Sequence, residues 1–227
     1  MFYIIILAVF FLLFLAFYLS LGSSKKSTVL ITGPCESGKT AMLVMLTHKK
    51  MPMTFTSLSP NIEEYHQKVK SSNTFKLIDV PGLEKLRFGF INKEKSCTAG
   101  IIYVIDSTTF QKNIKDVAEY LYDLMTDETL ARSRTPFLIA CNKSDLPEAK
   151  KMAAIEEHLE MELTTLSRTK AEGLASLEGH KETRVPLVKN TNEKFTFASC
   201  KHHAVTFVET SVTSEDIGQV RLWLERL

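Results

Sequence analysis

The chain has 227 residues, of which 24% are charged, and its formal net charge is +2. This length allows one domain of ordinary size with short appendages, and the weak charge gives no reason to propose direct nucleic-acid binding. The four cysteines are Cys35, Cys97, Cys141 and Cys200. They form no C-x-x-C pair, which favours free thiols in a reducing compartment over a disulfide framework or a zinc site.

The chain begins with an uncharged apolar stretch, residues 2–21, composed almost entirely of Ile, Leu, Phe, Val and Ala. A helix of this length spans about 30 Å, the thickness of a bilayer core, so residues 1–21 are predicted to be a transmembrane signal anchor. Lys25 and Lys26 follow at once and place the C-terminal side in the cytosol by the positive-inside rule. The alternative is a cleaved signal peptide, but the stretch has no basic n-region and its apolar run is too long.

A short Gly/Ser/Lys linker, residues 22–27, leads to a domain predicted to cover residues 28–227. The domain opens with an apolar strand, then Gly33-Pro34-Cys35-Glu36-Ser37-Gly38-Lys39-Thr40, then a helical pattern. In this context G-x-x-x-x-G-K-[ST] binds phosphate, because backbone N–H groups and the helix N-terminus point at the anion. Lys39 is predicted to reach the β- and γ-phosphates, and the Thr40 hydroxyl to ligate Mg²⁺. The predicted nucleotide-binding residues of this loop are Gly33, Glu36, Ser37, Gly38, Lys39, Thr40 and Ala41.

Residues 47–60 are polar and are predicted to form a loop. A hairpin is predicted next, with strands over residues 62–70 and 75–78. Its second strand ends in Asp79-Val80-Pro81-Gly82. An aspartate at the carboxyl end of a strand beside a phosphate loop can hold Mg²⁺, usually through its water shell. Gly82 can bring its backbone N–H to a γ-phosphate, because it has no Cβ.

Residues 100–106 and 136–141 are apolar runs typical of parallel strands buried on both faces, and residues 110–124 between them have helical spacing. The second run ends in Asn142-Lys143-Ser144-Asp145. At a strand end, N-K-x-D lets the Asp145 carboxylate accept hydrogen bonds from the ring N–H and the exocyclic amino group of guanine. Adenine would leave this carboxylate unpaired, so the site is predicted to prefer guanine over adenine by a factor on the order of 10⁴. Asn142 and the Lys143 stem are predicted to support the loop and cover the base.

A long helix is predicted from Pro147 to about Leu177, with an apolar stripe toward the core. The stripe consists of Met152, Ile155, Leu159, Leu163 and Leu166. Residues 179–192 are polar and predict a mobile loop, and residues 195–197 a short edge strand. The six histidines show no metal-ligand spacing and are predicted to lie at the surface.

The last predicted strand, residues 206–209, leads to the turn Thr210-Ser211-Val212. A backbone N–H of this small-residue turn is predicted to contact the guanine carbonyl oxygen. Ser214 is predicted to cap a final helix over residues 215–227, whose apolar residues recur at helical spacing.

The phosphate loop, D-x-P-G, N-K-x-D and the closing E-T-S-V turn occur in that order and resemble the Ras-like GTPase superfamily. The resemblance implies a doubly wound, mostly parallel α/β sheet with the P-loop GTPase fold, binding GTP or GDP and Mg²⁺ at the carboxyl ends of its strands. The anchor, D-V-P-G-x-x-x-L-R, C-N-K-S-D and the glutamate-rich segment 159–166 look like the family of signal recognition particle receptor beta subunits, close to the ADP-ribosylation-factor/Sar branch.

This narrower resemblance implies a single-pass endoplasmic reticulum protein whose cytosolic, GTP-bound domain recruits the receptor's alpha subunit, near the ribosome and the translocon. It also implies a switch region around Thr54, Thr56 and Ser57 that closes over the γ-phosphate and Mg²⁺. Thr56 is favoured as the sensing hydroxyl, so the predicted metal ligands are Thr40, Thr56 and Asp79. The loop over residues 82–87 would be the other switch.

One position departs from the family pattern. After the D-x-P-G glycine, where this family often has histidine and related small GTPases have glutamine, the chain has Leu83. Leucine can neither orient nor deprotonate water, so very slow intrinsic hydrolysis is predicted and no residue is assigned a catalytic role. The alternative is that a partner supplies the missing group in trans.

Two other functions are weighed against a receptor subunit. A cycling vesicle-trafficking GTPase of the ADP-ribosylation-factor type would use an amphipathic or lipidated N-terminal helix. Here residues 2–21 are apolar all round, and Phe2 stands where myristoylation requires glycine. A secreted protein with a cleaved leader is disfavoured, because nucleoside triphosphates and Mg²⁺ are cytosolic.

Overall fold

The computed structural model describes residues 11, 26–48, 59–67, 74–176, 184–188, 190 and 193–227. Among these residues, no helix is both long enough and apolar enough to cross a membrane. The predicted anchor, residues 1–21, lies outside the described residues apart from Phe11, and so do Thr54, Thr56 and Ser57 of the predicted switch.

Six strands form a single sheet in the order β2-β3-β1-β4-β5-β6. Their bounds are β1 Thr28–Thr32, β2 Asn61–His66, β3 Thr74–Asp79, β4 Thr98–Asp106, β5 Phe137–Asn142 and β6 Val205–Glu209. Neighbouring strands are parallel except for the β2–β3 pair, which is antiparallel as the predicted hairpin requires. The structure therefore confirms the mostly parallel α/β sheet.

Helices cover both faces of the sheet. They are α1 Lys39–His48, α2 Glu84–Glu94, α3 Phe110–Met125, α4 Glu128–Arg132, α5 Met152–Ser176 and α6 Gly218–Arg226. Successive side chains of a strand point to opposite faces, and in β1 Leu30 joins one buried cluster while Val29 and Ile31 join the other. The first cluster includes α3 and α5, and the second α1 and α6. Burial on both faces explains why β4 and β5 read as continuous apolar runs.

Several predicted boundaries in the first half of the chain are off by a few residues. Helix α1 continues through Thr47 to His48, into the stretch predicted as loop. The first hairpin strand ends at His66 instead of residue 70, and the side chain of the next residue, Gln67, is buried and donates from Nε2 to Leu224 O at 2.7 Å. These shifts leave the arrangement of the sheet unchanged.

The predicted start of α5 and the predicted strand at residues 195–197 are wrong. Helix α5 begins at Met152, whose N–H donates to Glu209 Oε1 at 3.0 Å, so Pro147 lies outside the helix. Phe195 and Phe197 are buried, and their N–H groups donate to side-chain oxygens of α5, at Thr164 and Glu160, instead of to a strand. Residues Phe197–Ser199 form a 3-10 turn.

The last helix and the loop before β6 also differ from prediction. Helix α6 begins at Gly218, and Ser214 does not cap it, because Ser214 lies in a turn closed by the Ser211–Asp216 backbone bridge. Within the predicted mobile loop, Arg184 pairs with Asp123 on α3. Part of that loop is therefore held against the domain.

His203 is buried, contrary to the surface position predicted for the histidines. Its Nδ1 lies 2.8 Å from Thr135 O and its Nε2 3.0 Å from Met125 O. Burial lowers the pKa of His203, although both carbonyl oxygens favour the protonated ring. The folded protein therefore holds this ring in its neutral form to lower pH than an unfolded chain does.

We expect the unfolding free energy to fall as pH drops from about 7.5 to about 5.5, because the unfolded His203 binds a proton first. The His203 contribution is complete above the ordinary pKa of 6.5 and is lost as pH falls through the lower folded-state pKa. Urea unfolding across this range should show a flatter pH dependence in His203→Gln than in His202→Gln, the matched neighbour. Equal slopes in the two variants would contradict this account.

Candidate nucleotide-binding site

A cleft of about 400 Å³ lies at the carboxyl edge of the sheet. Its lining comes from four separate stretches of sequence, within residues 35–41, 79–82, 142–146 and 212–213. The carboxyl ends of parallel strands meet at one edge, so motifs that lie far apart in the sequence are brought to one place. The predicted phosphate loop, D-x-P-G and N-K-x-D therefore share a single cleft.

The phosphate loop needs its two outer glycines for steric reasons. Gly33 has φ +141° and Gly38 has φ +95°, both values that favour glycine. A Cβ on Gly33 would lie 2.2 Å from Val104 O, and one on Gly38 would lie 2.3 Å from Asn142 Nδ2. The loop thus packs directly on β4 and on the first residue of N-K-x-D.

Two polar side chains of the phosphate loop donate hydrogen bonds to a backbone carbonyl of the same loop. Lys39 is buried, and its Nζ donates to Pro34 O at 2.6 Å, while Ser37 Oγ donates to the same oxygen at 3.0 Å. Burial lowers the pKa of Lys39, and the charge of Asp79 opposes that shift. A cation with little hydration in an anion-binding loop can interact strongly with phosphate.

Thr40 and Asp79 form an oxygen-rich pair at the floor of the cleft. Thr40 Oγ1 donates to Asp79 Oδ2 at 2.6 Å, and Asn61 Nδ2 donates to the same oxygen at 3.1 Å. Asp79 Oδ1 is buried without a hydrogen-bond partner in the part of the chain that the structure describes. Burial raises the pKa of Asp79. A buried, unpaired carboxylate oxygen next to the Thr40 hydroxyl suits a hard divalent cation, because such cations prefer oxygen ligands.

Asn142 supports the surrounding loops, as predicted. Its Nδ2 donates to Ser37 O at 2.8 Å, and its Oδ1 accepts from Val212 N at 3.3 Å. The side chain therefore ties the phosphate loop to the turn after β6.

Lys143 has φ +62°, and its Nζ pairs with Asp106 Oδ2 at 2.6 Å. Burial alone would raise the pKa of Asp106, but hydrogen bonds from Lys143 and Thr108 hold it below its ordinary value. Asp145 is exposed and lines the cleft, so its carboxylate is accessible to a ligand.

The turn after β6 reaches the cleft through only part of the predicted segment. Val212 lines the cleft, whereas Thr210 and Ser211 are buried beneath it. Thr210 O accepts hydrogen bonds from both the N–H and the hydroxyl of Ser144, at 3.1 and 2.9 Å. Thr210 therefore fixes the N-K-x-D loop through its backbone.

Gly82 lines the cleft, and Leu83 follows it in the chain. A Cβ on Gly82 would lie 3.0 Å from Cys35 Cα, so the D-x-P-G turn approaches the phosphate loop closely. Leu83 is 40% exposed, precedes α2, and does not line the cleft. The Arg87 guanidinium stacks on the Tyr120 ring, with Cζ 3.7 Å from the ring centroid.

Sequence reasoning missed several residues of the site. Asp106 orients Lys143 and Asn61 orients Asp79, while Cys35, Leu146 and Thr213 line the cleft. One signal could have found Asp106: it ends an apolar strand, as Asp79 does, and so belongs to the same edge of the sheet. Thr56 lies outside the described residues.

Comparison with known proteins gives consistent matches. Residues 24–205 match the family model of the signal recognition particle receptor beta subunit. The signal recognition particle receptor subunit beta of Rattus norvegicus is 35% identical over 225 residues, covering 95% of this chain and 83% of that protein.

A chain of the solved mammalian SRP receptor is 33% identical, with a TM-score of 0.74, and the match covers 88% of this chain and 98% of that one. The ADP-ribosylation factor-like protein 4C of Homo sapiens is 34% identical over 138 residues, which is 58% of this chain and 67% of that protein. Likeness to the receptor subunits therefore extends over much more of the chain.

Proposed function

Because the chain belongs to the family of signal recognition particle receptor beta subunits, we propose that it is the GTP-binding, membrane-anchored subunit of such a receptor. It recruits the alpha subunit to the endoplasmic reticulum for co-translational protein targeting. The observation that carries the proposal is one cleft lined by the phosphate loop, Asp79 and N-K-x-D. The rival function, a cycling vesicle-trafficking GTPase, is supported by a likeness over a smaller part of the chain.

In this proposal GTP lies across the cleft from the phosphate loop to N-K-x-D. Lys39 and the loop N–H groups bind the phosphates, and Asp145 accepts the two guanine donors. Thr40, Asp79 and Thr56 would hold Mg²⁺. Bound Mg²⁺ would neutralise charge on the β- and γ-phosphates. Asn142 and the Lys143–Asp106 pair keep the base-binding loop in place.

The domain assignment is part of the same proposal. Residues 1–21 form the single-pass anchor, residues 22–27 the linker, and residues 28–227 the GTPase domain in the cytosol. The uncharged apolar stretch followed by Lys25 and Lys26 supports this orientation. The position brings the domain near ribosomes and the translocon without direct nucleic-acid binding. Release of the full-length chain from membranes by alkaline carbonate would overturn the anchor.

The function is tested by the nucleotide content of the purified full-length chain, alone and with an alpha subunit. We expect about one guanine nucleotide per chain, retained through purification and separable by ion-exchange chromatography after denaturation. We also expect the alpha subunit to co-purify with the GTP-loaded chain and to be lost from the GDP-loaded one. A chain that binds no guanine nucleotide, or binds the alpha subunit equally in both states, would contradict the proposal.

Single-turnover hydrolysis tests the interpretation of Leu83. We expect very slow cleavage by the wild-type chain, and an increase of about tenfold or more in Leu83→Gln, because glutamine can orient the attacking water. Leu222→Gln is the matched control, since Leu222 on α6 is similarly exposed, at 51%, and does not line the cleft. Its rate should equal that of wild type.

Fast wild-type turnover would contradict the assignment of slow hydrolysis. If Leu83→Gln hydrolyses as slowly as wild type but wild type accelerates with the alpha subunit, the catalytic group comes from the partner.

A further inference from the structure

The N-terminal segment joins the domain at the end of the sheet that lies opposite the cleft. Lys26 Nζ donates to Ser133 O at 2.7 Å, just before β5 begins. Ser27 N donates to Cys97 O at 3.1 Å, and Ser27 O accepts from Lys76 N at 2.8 Å. The chain is therefore fixed against the amino ends of β5, β4 and β3, while the cleft occupies their carboxyl ends.

Exposed basic side chains occupy this amino edge. We call Lys26, Arg132, Arg134 and Lys201 the basic rim; all four are exposed. Arg132 and Arg134 flank Ser133, the residue that holds Lys26. Lys201 lies two residues before His203, which contacts Thr135 O. The four side chains are therefore grouped around the starts of β5 and β6.

Three carboxylates near this edge are already paired with cations, one of which, Arg132, belongs to the rim itself. Glu94 pairs with Lys76 at 3.5 Å, Asp127 with Lys95 at 2.7 Å, and Glu128 with Arg132 at 2.6 Å. Lys26, Arg134 and Lys201 take part in none of the ion pairs found between described residues. The edge therefore presents a net positive charge to whatever lies beneath it.

The length of the N-terminal connection limits how far this edge can lie from a bilayer. Five peptide steps separate Leu21 from Lys26, and fully extended they reach at most about 18 Å. Attraction between charges in salt solution extends over a Debye length of about 8 to 10 Å. The fully extended tether is about twice this length, so it lets the basic rim come within a Debye length of the membrane surface and prevents it from moving far beyond that range.

We propose that the basic rim binds anionic lipid headgroups of the bilayer that holds the N-terminal anchor. This inference rests on the proposed anchor at residues 1–21. The contact orients the domain so that the cleft faces away from the membrane, toward the cytosol. The positive charge of the rim and its position at the end of the tether both favour a lipid surface as its binding partner.

The test uses the full-length chain reconstituted into phosphatidylcholine vesicles, with or without about 30% phosphatidylserine, and measures amide hydrogen exchange. We expect exchange in residues 130–136 and 199–204 to slow by about threefold or more only in the anionic vesicles. About 0.5 M NaCl should abolish the protection. The double substitution Arg134→Glu with Lys201→Glu should abolish it at low salt.

The matched control reverses the charges of Lys112 and Lys115, two exposed lysines near the start of α3, at the cleft end of the domain. This variant should keep the protection, and exchange in β4 should report an intact fold in every variant. Equal protection in neutral and anionic vesicles, or protection that appears only after the alpha subunit is added, would overturn the proposal. Failure of the anchor is distinguishable, because alkaline carbonate would then release the chain from both kinds of vesicle.

Discussion

Asp145→Asn should convert a chain that binds guanine nucleotides into one that prefers xanthine nucleotides. Guanine offers two donors, the ring N–H and the exocyclic amino group, and a carboxylate accepts both. Xanthine has a carbonyl in place of the amino group, and an asparagine side chain provides one acceptor and one donor to match. We expect affinity for GTP to fall on the order of 10³-fold and that for xanthosine triphosphate to rise correspondingly.

Competition between the two nucleotides, followed with a fluorescent analogue, measures this change directly. Asp145 is exposed in the cleft, so its substitution leaves no buried charge behind and the fold should be retained. Asp116→Asn, at an exposed position on α3, is the matched control and should bind GTP as wild type does. Unchanged GTP affinity in Asp145→Asn would show that this carboxylate does not read the base.

The parts of the fold that local sequence determines were predicted well. Strands β4 and β5 are buried on both faces, so their apolar runs are unambiguous, and each prediction falls within two residues of the observed bounds. The phosphate loop was predictable because Gly33 and Gly38 adopt positive φ values that favour glycine, in addition to lying too close to neighbouring atoms for a Cβ. The convergence of three motifs on one cleft followed from the parallel order of strands.

The errors arise where distant side chains replace local partners. Phe195-Thr196-Phe197 alternates as an edge strand does, but oxygens of Glu160 and Thr164 bind its backbone and both rings enter the core. His203 follows two polar residues, and its burial depends on carbonyl groups that lie 68 and 78 residues earlier. Neither contact has a signature in the surrounding sequence. The binding roles of Thr56, Gly82 and the closing turn stay predictions.

Gly33→Ala should cause the largest loss of stability of any alanine substitution at a glycine of this site. The new Cβ would lie 2.2 Å from the Val104 carbonyl oxygen, and φ is +141°. Val104 is buried in β4, which lies between β1 and β5, and it is paired with Ala140 of β5, so it cannot move aside without disturbing the sheet. We expect destabilisation on the order of 4 kcal/mol or more, out of the roughly 5 to 15 kcal/mol typical of a domain.

Gly89→Ala is the matched control, because it adds the same methyl group to the interior of α2, where nothing described beyond its chain neighbours and the adjacent helix backbone lies within 4 Å. Alanine is favoured over glycine in a helix interior by about 1 kcal/mol, so this variant should be more stable than wild type. Urea unfolding of both variants, with and without added GTP, separates the effects. Gly33→Ala should gain little from GTP, because the displaced loop no longer aims its N–H groups at the phosphates. A Gly33→Ala chain as stable and as responsive to GTP as wild type would show that the loop does not pack on β4 in this way.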